Sequence, residues 1–315
     1  MSGARGAPSQ ARTITLPGAG LNLAADRWAP PADRTPKGVV VLLHGGGQTR
    51  HSWRRTGERL AADGWIAYAV DLRGHGDSDW AADGDYGMTV MIADLRETIA
   101  RIKAVEPAVP VSLVGASLGG KVALIAIGED PTLADSLVLV DIAVSVERSG
   151  ARRVKEFMRG APEGFGSLEE AAAAISGYNP HRRHGGSLEG LRKNLRLRGG
   201  RWHWHWDPAM MRLDRPDDEH ADSAMSAAIY ARSRAAALAL RHPVLLVRGA
   251  HSDVVSDAGV AEMRELIPQA TVLDVRGVGH MVAGDDNDIF TANLLGYLDG
   301  TLEHDHHDHH DQEVR

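Results

Sequence analysis

Val111-Ser-Leu-Val-Gly-Ala-Ser117-Leu-Gly-Gly-Lys-Val122 is the stretch on which the reading of the fold turns. Its first half is a short apolar run of strand character, and its second half opens the helix-like GGKVALIAIG, so Ser117 stands at a strand-to-helix turn. Gly115-Ala-Ser117-Leu-Gly119 matches G-x-S-x-G at that point. So sharp a turn strains the serine backbone and leaves no room for neighbouring side chains, which accounts for Gly115, Ala116, Gly119 and Gly120. The strain exposes the serine Oγ, and the helix start beyond it directs N–H groups and a partial positive charge toward a developing anion. The pentapeptide alone is weak evidence; its place between strand and helix gives it weight.

Outward from this turn, similar apolar runs alternate with segments of helical periodicity: VVVLLHG ending at Gly45, IAYAVDL at Leu72, SLVLVDIA at Ala143, PVLLVRGA at Ala250 and ATVLDVRG at Gly277. Alternation of this kind implies an α/β protein with a mostly parallel sheet, and near-continuous apolar runs imply helices on both faces. TITLPGAG and LNLAADRW read as an antiparallel edge hairpin turning at Pro17 and Gly18. Between Ala143 and Pro243 the strand pattern lapses over a length too great for a structureless loop. The helix-start pattern Ser167-Leu-Glu-Glu170 and a helix from about Asp222 to Leu240 mark that stretch as a mostly helical lid. The expected organisation is a core of residues 12–143 and 241–300, a lid of 144–240, and termini 1–11 and 303–315 without a core of their own.

The 315 residues carry a formal charge of -7, which offers no basic footprint for nucleic acid. There is no apolar run of about 20 residues to cross a membrane, and the start MSGARGAPSQARTITL lacks the apolar centre of a secretory signal. A cytoplasmic location and a small-molecule partner are therefore expected. With no cysteine, a thiol nucleophile, thiolate metal site or disulfide is excluded. The tail EHDHHDHHDQEVR is rich in His and Asp, and a solvated tail is favoured over a defined metal site.

On the elbow motif and the strand order, the chain resembles the α/β-hydrolase fold, in particular its esterase, cofactor-free peroxidase and epoxide-hydrolase-like branch. The resemblance covers most of residues 12–300, and the lid only loosely. It implies an oxyanion hole formed by the N–H of Leu118, after the nucleophile, and by one from His44-Gly45-Gly46-Gly47, assigned to Gly46. It also implies the chain order serine, acid, histidine. His280, in VRGVGHMVAG past the last strand, is then the base that a serine needs. His44 and His75 resemble the family's loop-holding histidines, and His251 precedes the acid in the wrong order. Asp253, in RGAHSDVVS, lies where the family places the acid; Asp141, at the end of the preceding strand, is the rival. Asp71, in DLRGHGDSD, reads as a backbone-bonding structural residue.

A serine at the elbow cannot supply the carboxylate that epoxide hydrolases and dehalogenases of this fold use, so acyl chemistry is left. The expected enzyme cleaves small-molecule carboxylic esters with no metal or organic cofactor. A perhydrolase or haloperoxidase, or a C–C bond hydrolase, would use the same triad, and a hydrolase-fold receptor is the alternative from another class. Trp53, Trp204, Trp206, Met210, Met211 and Met281 are the candidates for the substrate pocket, with packing of the lid onto the core as the plainer reading of the tryptophans. Arg182, Arg183, Arg192, Lys193, Arg196 and Arg198 form a basic lid stretch, read first as a solvated face.

Overall fold

The computed structural model describes residues 10–178, 188–212, 219–275 and 288–300. In chain order its strands are β1 (Arg12–Pro17), β2 (Asn22–Trp28), β3 (Val39–Leu43), β4 (Ile66–Val70), β5 (Val111–Ala116), β6 (Ser136–Val140), β7 (Leu195–Arg198), β8 (Arg201–Trp204), β9 (Val244–Gly249) and β10 (Ala270–Val275). Its helices are α1 (Arg54–Ala62), α2 (Met88–Val105), α3 (Ser117–Glu129), α4 (Arg148–Arg159), α5 (Leu168–Tyr178), α6 (Leu188–Leu191), α7 (Glu219–Ala239), α8 (Asp257–Leu266) and α9 (Asp288–Leu298).

Eight strands form one sheet in the order β1-β2-β4-β3-β5-β6-β9-β10, parallel from β4 to β10. The hairpin β1–β2 closes one edge antiparallel, with Leu16 opposite Leu23. Strand β3 shows why its run is apolar throughout. Val39, Val41 and Leu43 join one buried cluster with α2, α3, α7 and α8, while Val40 and Leu42 join another with Trp53, Leu60 of α1 and Phe290 of α9. Each such side chain contributes roughly 1.5–3 kcal/mol on burial. The α/β-hydrolase architecture expected from the sequence is thus what the chain adopts.

The stretch after β6 differs from a purely helical lid. Helix α5 starts as its sequence dictates, with Ser167 Oγ accepting from Glu170 N–H at 3.2 Å and Glu170 accepting from Gly166 N–H at 2.6 Å. Beyond α6 comes an antiparallel hairpin, β7–β8, turning at Gly199 and Gly200, whose φ values of 55° and 77° belong to a two-residue hairpin turn. Helix α7 packs on α3: a Cβ added at Gly128 would stand 2.5 Å from the Ala236 Cβ, and Arg232 Nε donates to Glu129 at 2.5 Å. The return helix therefore covers the core, and α4–α6 with the hairpin remain above the strand ends.

Candidate active site

Ser117 begins α3 directly after β5 and has φ +44°, the left-handed region that costs an ordinary residue roughly 1–2 kcal/mol. Packing enforces it. A Cβ on Gly119 would stand 2.7 Å from the His44 carbonyl oxygen, and one on Gly115 would strike the backbone of Gly120. The half-buried Ser117 faces Gly45, whose added Cβ would lie 3.3 Å from the serine Cβ.

The loop after β3 is held by two buried histidines. His44 Nε2 accepts from Leu72 N–H at 3.0 Å, so its proton is on Nδ1, which donates to Gly45 O at 2.8 Å. His75 Nε2 accepts from Gly47 N–H at 3.2 Å and its Nδ1 donates to Arg73 O at 3.1 Å. Burial pushes His44 down to about 4 and His75 down to about 3, so both remain neutral donor–acceptor struts. Gly45 N–H is taken by Gln48 Oε1 at 3.0 Å. Among the described residues no acceptor takes Gly46 N–H, and a Cβ at Gly46 would lie 3.9 Å from Leu118 Cδ2. Gly46 thus lies beside the Leu118 side chain.

Two carboxylates lie on the adjoining strand ends. Asp141 directly follows β6, is 1% exposed and has φ +51°. Its Oδ1 accepts from Gly249 N–H at 3.1 Å and its Oδ2 from Ser252 Oγ at 2.8 Å. Asp253, in the loop after β9, is part-exposed and pairs through Oδ2 with Arg153 Nη2 of α4 at 2.8 Å. Burial raises the Tyr178 phenol; Arg153 opposes the rise and the charges of Asp253 and Asp141 add to it. His280 and Met281 lie outside the described residues. Asp71 has a structural place: its Oδ1 accepts from Arg50 N–H at 2.5 Å, and its Oδ2 accepts from Asp77 N–H at 2.9 Å and pairs with the buried Arg50 guanidinium.

Above the elbow, α4 runs from the loop after β9 to the loop after β3. Its Gly150 lies against the Asp253 backbone, Arg153 reaches the Asp253 carboxylate, and the Met158 sulfur is 3.5 Å from a Cβ built on Gly46. Positions 150, 153, 154, 157 and 158 repeat at helical spacing, and that periodicity is the signal in the sequence for Arg153, Phe157 and Met158. Phe157 stacks on Tyr178 at 4.4 Å and touches Trp204 at 5.4 Å, and Trp204 stacks on Trp206 at 4.9 Å. Trp206 in turn lies 3.3 Å from a Cβ built on Gly47. Trp204 therefore packs within the lid, and Trp206 packs the lid against the loop after β3. Met210 is buried against Gly74 and Tyr86, with the half-buried Met211 beside it.

Trp53 corrects the sequence reading. It is fully buried in the α1–α9 cluster, 5.8 Å from Phe290, because an indole just before α1 is drawn under the sheet, away from the lid. Of the basic lid stretch, Arg192 covers the Trp202 ring, Arg198 covers Trp80, and Arg196 pairs with Asp77; Arg182 and Arg183 lie outside the described residues. Among the described residues no three His, Cys, Asp or Glu side chains cluster as metal ligands, and the His/Asp tail lies outside them. No helix among them is long and apolar enough to cross a membrane.

The chain belongs to the alpha/beta hydrolase fold family, whose model matches residues 38–286. It is 31% identical over 293 residues to Esterase Rv0045c of Mycobacterium tuberculosis, covering 88% of this chain and 86% of the esterase. It is 29% identical over 264 residues to N-formylmaleamate deformylase of Pseudomonas putida, covering 84% and 90%. A solved structure of the M. tuberculosis esterase superposes with TM-score 0.69 at 29% identity, covering 94% of each chain. E-2-(acetamidomethylene)succinate hydrolase, at 20% identity, shares the fold with TM-score 0.75 over 92% of this chain and 100% of its own.

Proposed function

We propose that the chain is a serine hydrolase that cleaves carboxylic esters of small molecules through an acyl-enzyme. The observation that carries this reading is the left-handed backbone of Ser117 between β5 and α3, the strained strand-to-helix turn that exposes a nucleophile, with Gly45 beside its Cβ. Ser117 Oγ attacks the ester carbonyl while His280 takes its proton. The tetrahedral oxyanion accepts hydrogen bonds from Leu118 and Gly46 N–H. Collapse of that intermediate expels the alcohol, which receives the proton from His280, and water activated by the same histidine then releases the acid and restores Ser117. An aspartate at the neighbouring strand ends, Asp253 or Asp141, holds His280 in the productive tautomer.

The half-exposed guanidinium of Arg153 at the acid loop and the relationship to N-formylmaleamate deformylase favour a second reading, hydrolysis of an acyl amide that carries a carboxylate. Turnover of p-nitrophenyl acetate and butyrate by wild type and Ser117→Ala tests the main reading. Many turnovers per molecule are expected, with kcat lower by at least about 10³-fold in the variant. Unchanged turnover by Ser117→Ala would sink it.

A further inference from the structure

Lys121 is 8% exposed and stands one helical turn after Ser117 on α3. Its Nζ donates to the carbonyl oxygens of Ala143 and Val144 at 2.7 and 2.8 Å. Both of those residues are buried, and among the described residues no backbone N–H donates to either carbonyl. They follow the end of β6 at Val140, where the chain has left the ladder of the sheet and heads into the lid. A buried carbonyl without a donor is costly, so this one side chain supplies what the sheet no longer can. Burial lowers the ammonium to about 8, against the pull of Glu262 on α8, so it is charged at neutral pH and both bonds are charge-assisted.

The segment held in this way is the stem of α4. A Cβ on Gly120 would strike Ile142 Cγ2, so the chain just before the two carbonyls is also pressed onto the first turn of α3. Ser145 O lies 3.6 Å from a Cβ built on Gly259 of α8, and Glu147 N–H donates to Val254 O at 2.9 Å. Helix α4 begins at the next residue, Arg148, and its 12 residues span roughly 18 Å. Near its far end Met158 Sδ and Cγ lie 3.5 and 3.4 Å from Cβ atoms built on Gly46 and Gly47. A stiff helix carries a shift at its start through to its far end. The contact of Met158 with the loop after β3 therefore depends on where the stem is held, and the stem hangs from the same helical turn as Ser117.

On these grounds, and resting on the serine-hydrolase reading above, we propose that Lys121 is a positioning residue for substrate. It fixes α4, and through it Met158, relative to Ser117, and so sets substrate affinity and acyl-length preference without taking part in the chemical step.

The experiment compares Lys121→Met and Lys121→Arg, each with and without Met158→Ala, in the full-length chain. p-Nitrophenyl esters from two to twelve acyl carbons give kcat and KM at neutral pH, and fluorophosphonate labelling reports on Ser117. Methionine keeps the apolar stem and removes every donor, so Lys121→Met should raise KM for the butyrate by about tenfold, hold kcat within about threefold and flatten the acyl-length profile. Lys121→Arg, which keeps charged donors, should return KM to within about threefold of wild type. In the Met158→Ala background, Lys121→Met should change KM by less than about twofold, because the contact through which it acts is already gone. The proposal is overturned if Lys121→Met leaves KM and the acyl-length profile unchanged, if it lowers kcat as much as it raises KM, or if its effect is the same size with Met158 absent. Should Lys121→Met not fold, Lys121→Gln takes its place under the same criteria, as a neutral donor one atom shorter. Failure of both to fold overturns the proposal too, since Lys121 would then hold the core and not place the lid. Failure of the parent reading looks different: wild type itself would carry no fluorophosphonate adduct at Ser117.

Discussion

Met158 Sδ lies 3.5 Å from the point where a Cβ on Gly46 would stand, so one lid side chain and the loop after β3 share a wall. Truncation there removes the roof directly above the expected position of the acyl group. Met158→Ala should shift the chain-length optimum of p-nitrophenyl esters upward, with kcat/KM rising for longer acyl chains and falling for acetate. A series from two to twelve carbons checks this, and an unchanged profile would place the acyl group elsewhere. The cost in stability should be about 2 kcal/mol, the lower end for a buried methionine.

Gly46 and Gly119 should respond oppositely to alanine. A methyl at Gly46 meets its neighbours at ordinary contact distances of 3.5 Å and beyond, so the fold should hold while kcat drops about 10–100-fold, short of the loss of a whole oxyanion donor. At Gly119 the methyl would stand 2.7 Å from backbone oxygens of Leu43 and His44, and about 3 kcal/mol of stability should go. Urea denaturation alongside kinetics separates the two effects.

Ser117 stores strain that glycine would release. Ser117→Gly and Ser117→Ala should both be inactive, but the glycine variant should be at least as stable as the alanine one, by up to about 1 kcal/mol, since only alanine retains the left-handed penalty. Calorimetry of both proteins tests it; a clearly less stable glycine variant would mean that the turn carries no strain.

Acid should destabilise the fold through its histidines. Burial lowers His44 to about 4, His75 to about 3 and His205 to about 4, all beneath the usual value of about 6.5 of an unfolded chain. Below pH 6.5 the unfolded chain binds protons that the folded chain refuses, so stability is full above that pH and falls as pH drops toward 4. Each histidine contributes a slope of up to about 1.4 kcal/mol per pH unit in that window. Urea midpoints from pH 7 to 4.5 should follow this, and His75→Gln, which can still accept from Gly47 N–H, should flatten the curve. An identical slope in the variant would exclude His75 as a source.

What the sequence made legible was mainly local. The elbow could be read from Gly115 to Gly120 because a strained turn writes its steric demands into adjacent residues, and the sheet because strands buried on both faces are apolar throughout. The hairpin β7–β8 also has a local signal, Gly199-Gly200 between LRLR and RWHW, which the helical character of the flanking segments masks. Trp53 could not be placed from sequence, because an indole before a helix looks the same whether it turns to a pocket or beneath a sheet. Asp141 and Asp253 differ in burial and in partners, which include Ser252 and Gly249 for one and Arg153 for the other, and both depend on how distant segments meet.

The loop between β4 and α2 serves two structures at once. Its His75 supports Gly47 from below, while Gly76 N–H donates to His205 O and Gly74 O accepts from Asp207 N–H, both at 2.8 Å, and Asp77 pairs with Arg196. The hairpin and the loop after β3 are therefore fastened to the same short piece of chain. A substrate bulky enough to lift the hairpin would pull on the His75 strut beneath the proposed anion site, so the limit on substrate size should register as slower turnover even when binding is unimpaired.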